Sequence, residues 1–249
     1  MKLSYDQKKQ LIDDGYVRIP GVVPPAMIRN ALQAINHSIG SGMDTEKMPI
    51  YRAQSFCPEL QQAPVIGDLF DRTPAIDLVA SALDGRDSFR RGKGAQIALR
   101  FPMLQDPPPR PAPHLDGMYT PTNGVKEGTI ASFTALVGIL LSDLPETNAG
   151  NFTAWPGSHR QFEQYFREHG PEALLNGLPP VELPEPRQIT GRAGDMILCH
   201  YLLGHGIAPN VSPNIRYAVF FRMTHVDHEW RKPMTDMWMH WGGVRDILQ

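Results

Sequence analysis

The sequence predicts a mainly β fold with flanking helices. From about residue 95 the apolar runs become short and rich in β-branched or aromatic residues, and Gly, Pro or Asn bounds each run. This texture is typical of a β-sandwich or barrel. The first 40 residues instead show helical spacing, and neither an internal repeat nor a long linker divides the chain. We therefore expect one domain over 1–249, with a helical part over about 1–90, a β core over about 91–225 and a tail over 226–249.

The amino-terminal segment carries helix start and stop signals. Ser4 is suited to cap a helix that runs to Asp14, and Gly15 is suited to end it. A strand is then expected at 16–20, followed by a second helix that begins at the Pro24-Pro25 pair. Further helices are expected at 58–70, 74–84 and 161–175.

Five segments of the β core have strand-like composition. They are 96–101, 129–141, 152–155, 196–201 and 216–223. The last part of the tail, residues 238–249, has two tryptophans. We expect this tail to cover one mouth of the β core.

Composition excludes several classes of partner and compartment. A formal net charge of −2 argues against nucleic acid and anionic membrane surfaces. The sequence has no run of about 18 apolar residues and no apolar signal-peptide segment, so we expect neither a membrane span nor a secretory leader. Its two cysteines, Cys57 and Cys199, are too few for a disulfide framework. We therefore expect a cytoplasmic protein.

Two His-x-Asp motifs stand out among the nine histidines. They are His114-Leu115-Asp116 and His225-Val226-Asp227. On a strand, residues i and i+2 point to the same face, so one imidazole and one carboxylate can bind the same metal ion. Two histidines and one carboxylate with open positions form the ligand set of non-haem Fe(II) oxygenases. The motif alone is short and carries little specificity.

A third ligand has two candidates in one segment. His205 lies between Gly204 and Gly206, which permit close backbone approach. His200 is five residues earlier, an odd offset, so both histidines cannot face one pocket from a straight strand. We favour His205 as the ligand. His200 is expected to be a hydrogen-bonded core histidine, with a place in the substrate pocket as the alternative.

Arg216 follows His205 by eleven residues, and turn-forming residues lie between them. A strand, a turn and a returning strand would bring the two side chains together. An arginine in an apolar strand is costly to bury without an anion, and a carboxylate is its natural bidentate partner. A structural pair with a local Asp or Glu is the alternative. Arg222 is expected to be solvated or ion-paired.

The second His-x-Asp motif lacks a later histidine that is itself followed by an arginine at this spacing. We therefore expect His225, Asp227 and His228 to be surface or loop residues. Ser158 is expected to cap a helix and His159 to be structural.

Taken together, these residues resemble the phytanoyl-CoA dioxygenase family of Fe(II)- and 2-oxoglutarate-dependent oxygenases. The resemblance covers nearly the whole chain. It rests on the combination of His114-Leu115-Asp116, the Pro156-Gly157-Ser158-His159 segment and the spacing from His205 to Arg216. Further matching segments are Asp14-Gly15-Tyr16-Val17, Gly21-Val22-Val23-Pro24, Gly150-Asn151 and Gly194-Asp195.

The resemblance implies a double-stranded β-helix, the cupin-like jelly roll. It implies that His114, Asp116 and His205 bind Fe(II) and that Arg216 holds the distal carboxylate of 2-oxoglutarate, with O2 as the other cosubstrate. Arg100 and Thr134 are further candidates for 2-oxoglutarate contact. Relatives often have a hydroxyl residue two positions after the distal histidine, where this chain has Ile207.

The function expected on this basis is hydroxylation of a C–H bond in a small-molecule metabolite, with release of succinate and CO2. A non-catalytic jelly-roll binding protein and a cupin-type metal hydrolase or isomerase are the alternatives. Substrate contacts are expected from Tyr119, Trp155, His200 and the loop 102–113. No nucleic-acid or membrane partner is expected.

Overall fold

The computed structural model describes residues 1–248 and contains helices, short 3-10 turns and antiparallel strands. The helices are α1 (Tyr5–Asp14), α2 (Pro25–Gly40), α3 (Met48–Ala53), α4 (Pro64–Asp71), α5 (Ala75–Ala82), α6 (Ser158–His169), α7 (Lys232–Thr235) and α8 (Gly242–Arg245). The strands are β1 (Tyr16–Ile19), β2 (Phe89–Arg91), β3 (Gln96–Arg100), β4 (Ala135–Leu140), β5 (Phe152–Ala154), β6 (Arg187–Gln188), β7 (Met196–His200), β8 (His205–Ile207) and β9 (Arg216–His225).

The strands form two antiparallel sheets. The larger sheet has the order β1-β7-β4-β9-β2, and β3 also pairs with β9. The smaller sheet has the order β6-β5-β8. One apolar core lies between the sheets and includes Phe152 and Phe220, whose rings are 5.8 Å apart. A second core joins the other side of the larger sheet to the helices, through residues such as Leu69 and Val219.

Local signals explain the first helix. The Ser4 hydroxyl accepts a hydrogen bond from the Gln7 N–H, and the Gln7 side chain accepts one from the Ser4 N–H, which completes a capping box. Gly15 ends α1 in the left-handed region, at φ 79°. The predicted bounds of this helix and the start of α2 are therefore confirmed.

Three helix boundaries differ from the sequence expectation. The helix expected at 161–175 ends at His169, and a 3-10 turn over Pro171–Asn176 follows it. The helix expected at 58–70 begins only at Pro64, because a 3-10 turn over Pro58–Leu60 precedes it. Ser158 is not a cap: it is the first residue of α6, and its hydroxyl accepts the N–H of Gly204 instead. Helix α3 was not predicted.

All five predicted strand segments contain strands, but 129–141 is strand only over β4, and residues 129–134 are irregular. The unpredicted strands β2, β6 and β8 have two or three residues each. Such short strands owe their pairing to neighbours distant in sequence, which no local pattern records.

The carboxy-terminal tail packs against the core between the sheets through Met234 and Met237. Trp241 is buried in the core that joins helices to the larger sheet, and its ring stacks on His200. In the described part of the tail, no residue lines the large cavity between the sheets. Within residues 1–248, no helix combines the length and apolarity needed to cross a bilayer.

Candidate metal centre and cosubstrate site

A cavity of about 650 Å³ opens between the two sheets. Strands β3, β4 and β9 form one wall, and β5 and β8 form the opposite wall. The end of α3 and the long segment between β3 and β4 complete its mouth. A cavity of this size and position is the usual setting of a small-molecule site.

His114 and His205 are held opposite each other by a single antiparallel bridge. The His114 N–H donates to the His205 carbonyl at 2.8 Å, and the His205 N–H donates to the His114 carbonyl at 3.1 Å. Their rings are 4.4 Å apart and inclined by 55°. Gly206 permits this approach, since a Cβ there would collide with the Ala112 carbonyl oxygen.

Asp116 brings a carboxylate to the same point. Its Oδ1 lies 3.5 Å from His114 Nε2 and 3.8 Å from His205 Nε2. The three ligand atoms lie within 4.8 Å of one another. Metal–ligand bonds of about 2.0–2.2 Å place neighbouring ligand atoms about 3 Å apart, so a small contraction fits this set around one ion. Two imidazoles and one carboxylate suit Fe(II) with open coordination positions.

The His205 imidazole has the neutral form that a metal ligand needs. Its Nδ1 donates to the Leu203 carbonyl at 2.9 Å, so Nε2 presents a lone pair toward His114 and Asp116. Burial, reinforced by the neighbouring His114 imidazole, lowers the pKa of His205 to about 4. The Phe152 ring stacks on the imidazole at 5.4 Å and fixes its plane.

Arg222 binds the other oxygen of Asp116. Its Nη2 lies 2.9 Å and its Nε 3.1 Å from Oδ2, and Nη2 also donates to Gln96 Oε1 at 3.1 Å. Burial by itself raises the pKa of Asp116, but the Arg222 charge and the His114 hydrogen bond outweigh it and hold that pKa well below its usual range. Oδ1 is thereby left to face the two imidazoles.

Arg216 is buried with one donor unsatisfied. Its Nε donates to the Gly150 carbonyl at 2.7 Å and its Nη1 to the Ala98 carbonyl at 3.0 Å. Nη2 is buried and has no hydrogen-bond partner among the described residues. Burial, with repulsion from Arg100, lowers the pKa of Arg216 to about 9, so it stays charged at neutral pH. A buried charged donor without a partner is suited to bind an anionic ligand.

Arg100 lies directly opposite Arg216 in the β3–β9 register, so both side chains share one face. Gly150 packs over both side chains: a Cβ there would lie 2.9 Å from the Arg100 Cβ and 3.1 Å from the Arg216 Cβ. Both arginines line the cavity. No carboxylate of residues 1–248 forms an ion pair with either arginine. This pair is suited to the distal carboxylate of 2-oxoglutarate.

The profile of one protein family, described as phytanoyl-CoA dioxygenase (PhyH), matches residues 11–218. The chain belongs to the phytanoyl-CoA dioxygenase family. Its members are Fe(II)- and 2-oxoglutarate-dependent enzymes that use O2, and the triad, the open Nη2 of Arg216 and the Gly150 cradle all fit those groups. No curated protein matches the sequence significantly.

Several solved structures share the fold at low sequence identity. HygX from Streptomyces hygroscopicus, solved with nickel and 2-oxoglutarate, is 15% identical, with a TM-score of 0.59 over 91% of this chain and 89% of that one. The epimerase SnoN from nogalamycin biosynthesis is 19% identical, with a TM-score of 0.57 over 88% and 81%. The non-heme monooxygenase ThoJ is 20% identical, with a TM-score of 0.58 over 88% and 77%. The fold is therefore the cupin-like jelly roll, here as two sheets without barrel closure.

Four other predicted site residues of this family member do not line the cavity. The Thr134 hydroxyl accepts the N–H of His225, so it supports β9. Tyr119 is 41% exposed and Trp155 is buried beside the smaller sheet. The His200 imidazole donates to the Met237 carbonyl and accepts the Leu202 N–H, which makes it the hydrogen-bonded core histidine of the two alternatives.

The expectation for His225 was wrong, because it is a buried residue at the end of β9. Its ring stacks on His240 at 4.0 Å, and its Nε2 lies 3.4 Å from Asp84 Oδ2. Its Nδ1 accepts the Asp227 N–H, which leaves the proton on Nε2. Parallel rings and a protonated Nε2 do not suit a metal, so we interpret this cluster as packing between β9 and the tail. Asp227 is exposed as expected, whereas His228 is half-buried.

Proposed function

We propose that this protein is a dioxygenase that hydroxylates a C–H bond of a small-molecule metabolite and releases succinate and CO2. The observation that supports this most directly is one cavity that contains both the His114, Asp116 and His205 ligand atoms and the unsatisfied Nη2 of Arg216. A binding protein without catalysis needs neither set. A metal hydrolase or isomerase would use the three ligands but not Arg216.

Each side chain has a distinct role in this proposal. His114, Asp116 and His205 hold Fe(II), which supplies O2 activation coupled to oxidation of 2-oxoglutarate. Arg216 binds the distal carboxylate of the cosubstrate, and Arg100 supports it from the adjacent strand. Since helices of 1–90 and the larger sheet share one core, we take 1–249 as a single oxygenase domain.

The chain also excludes water around the reacting atoms. The cavity wall near His114, Asp116 and His205 is apolar. It consists of Leu136, Phe152, Ile207 and Phe220. Ile207 removes a polar contact that a hydroxyl residue would offer at this position. A dry site strengthens the charge interactions of Arg216 and limits side reactions of an oxidising centre.

The deciding experiment measures succinate formed from 2-oxoglutarate under air with added Fe(II). We expect slow turnover without substrate, no turnover under nitrogen and no turnover by Asp116→Ala. Asp227→Ala is the matched control, because Asp227 has the same His-x-Asp context but is exposed and outside the cavity. Fe(II)-loaded protein that neither binds nor consumes 2-oxoglutarate would contradict the proposal.

Once a substrate is found, the mass of the product distinguishes the reaction type. Hydroxylation adds one oxygen atom to the substrate, and 18O2 labels it. A product of unchanged mass, as from an epimerase, or one that has lost two hydrogens, as from a ring closure, would keep the cofactor assignment but reject hydroxylation.

A further inference from the structure

The cavity contains more positive charge than its proposed cofactors neutralise. Four arginines line it, Arg52, Arg100, Arg216 and Arg222, against one carboxylate, Asp116. The other lining residues that are not histidine are uncharged. Arg222 is already paired with Asp116.

Loading the site does not remove this excess. Fe(II) brings two positive charges, and 2-oxoglutarate brings two negative charges. Arg52, Arg100 and Arg216 therefore leave an excess of three positive charges in the loaded cavity. A partly enclosed cavity of one sign attracts ions of the opposite sign and disfavours neutral or cationic ligands.

Arg52 is the member of these four arginines to which no role has been assigned. It lies in the last turn of α3 at the cavity mouth, and its residue is exposed. In the described chain its guanidinium takes part in no ion pair and donates no hydrogen bond. It is close enough to Arg100 for their repulsion to contribute to lowering the pKa of Arg100, after the larger effect of burial.

The mouth around Arg52 is an ordered structure. Gln54 Nε2 donates to the Thr122 carbonyl at 2.8 Å, which ties the end of α3 to the loop across the cavity. In that loop the Asn123 side chain accepts the N–H groups of Thr120 and Val125, each at 3.1 Å, and donates to a carbonyl. These contacts join the end of α3, which carries Arg52, to the loop on the other side of the opening.

We propose that the substrate is an organic oxyanion, a carboxylate or phosphate, whose charged group binds Arg52 while its apolar part extends toward the triad. A guanidinium binds both oxyanions through paired N–H donors. Leu136, Phe152 and Phe220 provide the apolar surface for the rest of the molecule. This proposal depends on the proposed function, because it requires the cosubstrate to occupy Arg216.

The positive charge at the mouth has two rival interpretations, and each leads to a different result. A cation in the last turn of a helix is favoured by the helix dipole, but this effect does not account for the position of Arg52 in the cavity wall. The excess charge could instead serve only to attract 2-oxoglutarate, a dianion. In that case no second anion binds once the cosubstrate is in place.

The test is an anion titration of the loaded protein without oxygen. Fe(II) and saturating 2-oxoglutarate are added first, and the visible charge-transfer absorption of their complex is recorded. Inorganic phosphate, acetate and the neutral acetamide are then titrated separately at constant ionic strength. The variants are Arg52→Gln, Arg52→Lys and, as a matched control, Arg29→Gln, which removes an exposed arginine of α2 outside the cavity.

We expect phosphate or acetate, but not acetamide, to perturb the absorption with millimolar affinity. Stronger binding of phosphate indicates a phosphorylated substrate, and stronger binding of acetate a carboxylic acid. Arg52→Gln should weaken anion binding at least tenfold, and Arg52→Lys should weaken it less. Arg29→Gln should bind the anion like the wild type. The perturbation should persist at higher 2-oxoglutarate, because the two anions bind different arginines.

Any of three results would overturn the proposal. The anions could have no effect, or they could bind Arg52→Gln as tightly as the wild type. They could also merely displace 2-oxoglutarate, so that an excess of 2-oxoglutarate restores the absorption. None of these outcomes affects the proposed function, whose failure shows separately, as the absence of an Fe(II)–2-oxoglutarate complex at the start. A paired panel of acids and their amides in the succinate assay adds a second readout. A neutral compound whose turnover is unchanged in Arg52→Gln would also reject an oxyanion substrate.

Discussion

Arg222 and Asp116 are 106 residues apart in the sequence, yet Nη2 of the arginine lies 2.9 Å from Oδ2 of the carboxylate. Because of this pair, the two oxygens of the carboxylate have different roles. Oδ2 is neutralised by the guanidinium, and Oδ1 faces His114 and His205 at 3.5 and 3.8 Å. A carboxylate fixed in this way offers one oxygen to a metal and leaves room for other ligands.

We expect Arg222→Gln to lower metal affinity or turnover by about 10–100-fold, the usual effect of removing a partner that orients a metal ligand. Isothermal titration with Mn(II) measures the first, and succinate formation measures the second. Arg222→Lys keeps the charge but not the paired donors, so its loss should be intermediate. If Arg222→Gln binds the metal and turns over 2-oxoglutarate like the wild type, the pair does not orient Asp116.

Arg216→Gln should raise the KM for 2-oxoglutarate about 10–100-fold, since hydrogen bonds to charged groups contribute about 1.5–3 kcal/mol. The same change removes donors to the Gly150 and Ala98 carbonyls, so thermal unfolding must be measured beside it. Arg100→Gln keeps those bonds and should raise the KM by a smaller factor. An unchanged KM in both folded variants would place the cosubstrate elsewhere.

The sequence predicted the contacts that follow from short-range spacing. His114 and Asp116 are two residues apart, and the returning strand after His205 brings Arg216 to the same cavity. The capping box at Ser4 is local as well, and α1 has the predicted bounds. Metal and cosubstrate roles for these residues stay predictions until they are measured.

Contacts made across the fold were not predictable in the same way. Helix α3 has only six residues and no side-chain cap, so its sequence carries little helical signal, yet it places Arg52 at the cavity mouth. Arg222 does have a signal in the sequence: it follows Arg216 by six residues, an even offset on one strand, and therefore shares its face. The burial of His225 depends on His240, which returns from the tail.

Gly150→Ala tests the cradle around the two arginines, with Gly21→Ala as its matched control. Both glycines have positive φ, 76° and 64°, so either alanine costs about 1–2 kcal/mol of backbone strain. Only at 150 does the new Cβ meet neighbours, and overpacking adds about 1–3 kcal/mol. We expect a larger drop in Tm for Gly150→Ala and a raised KM for 2-oxoglutarate in that variant alone. Equal Tm losses with unchanged KM would contradict this.

Acid should destabilise the fold through two neutral buried histidines. The pKa of His159 is lowered to about 3 and that of His200 to about 4, mainly because both imidazoles are buried. Unfolding exposes both to water, where a histidine has a pKa of about 6.5, so the unfolded chain binds more protons below that pH. The stabilisation that comes from keeping these imidazoles neutral is complete above pH 6.5 and decreases on acidification. For His200 the loss reaches about 3 kcal/mol at pH 4.

Urea unfolding at pH 7, 6 and 5 measures this dependence. The free energy of unfolding of the wild type should fall steeply below pH 6.5, and His200→Gln should remove about 1.4 kcal/mol per pH unit from that slope. His37→Gln, at an exposed position on α2, is the control and should keep the wild-type slope. Because slopes are compared, a general loss of stability in His200→Gln does not obscure the result. A slope unchanged by His200→Gln would mean that this imidazole is already protonated, or not buried, in the folded protein.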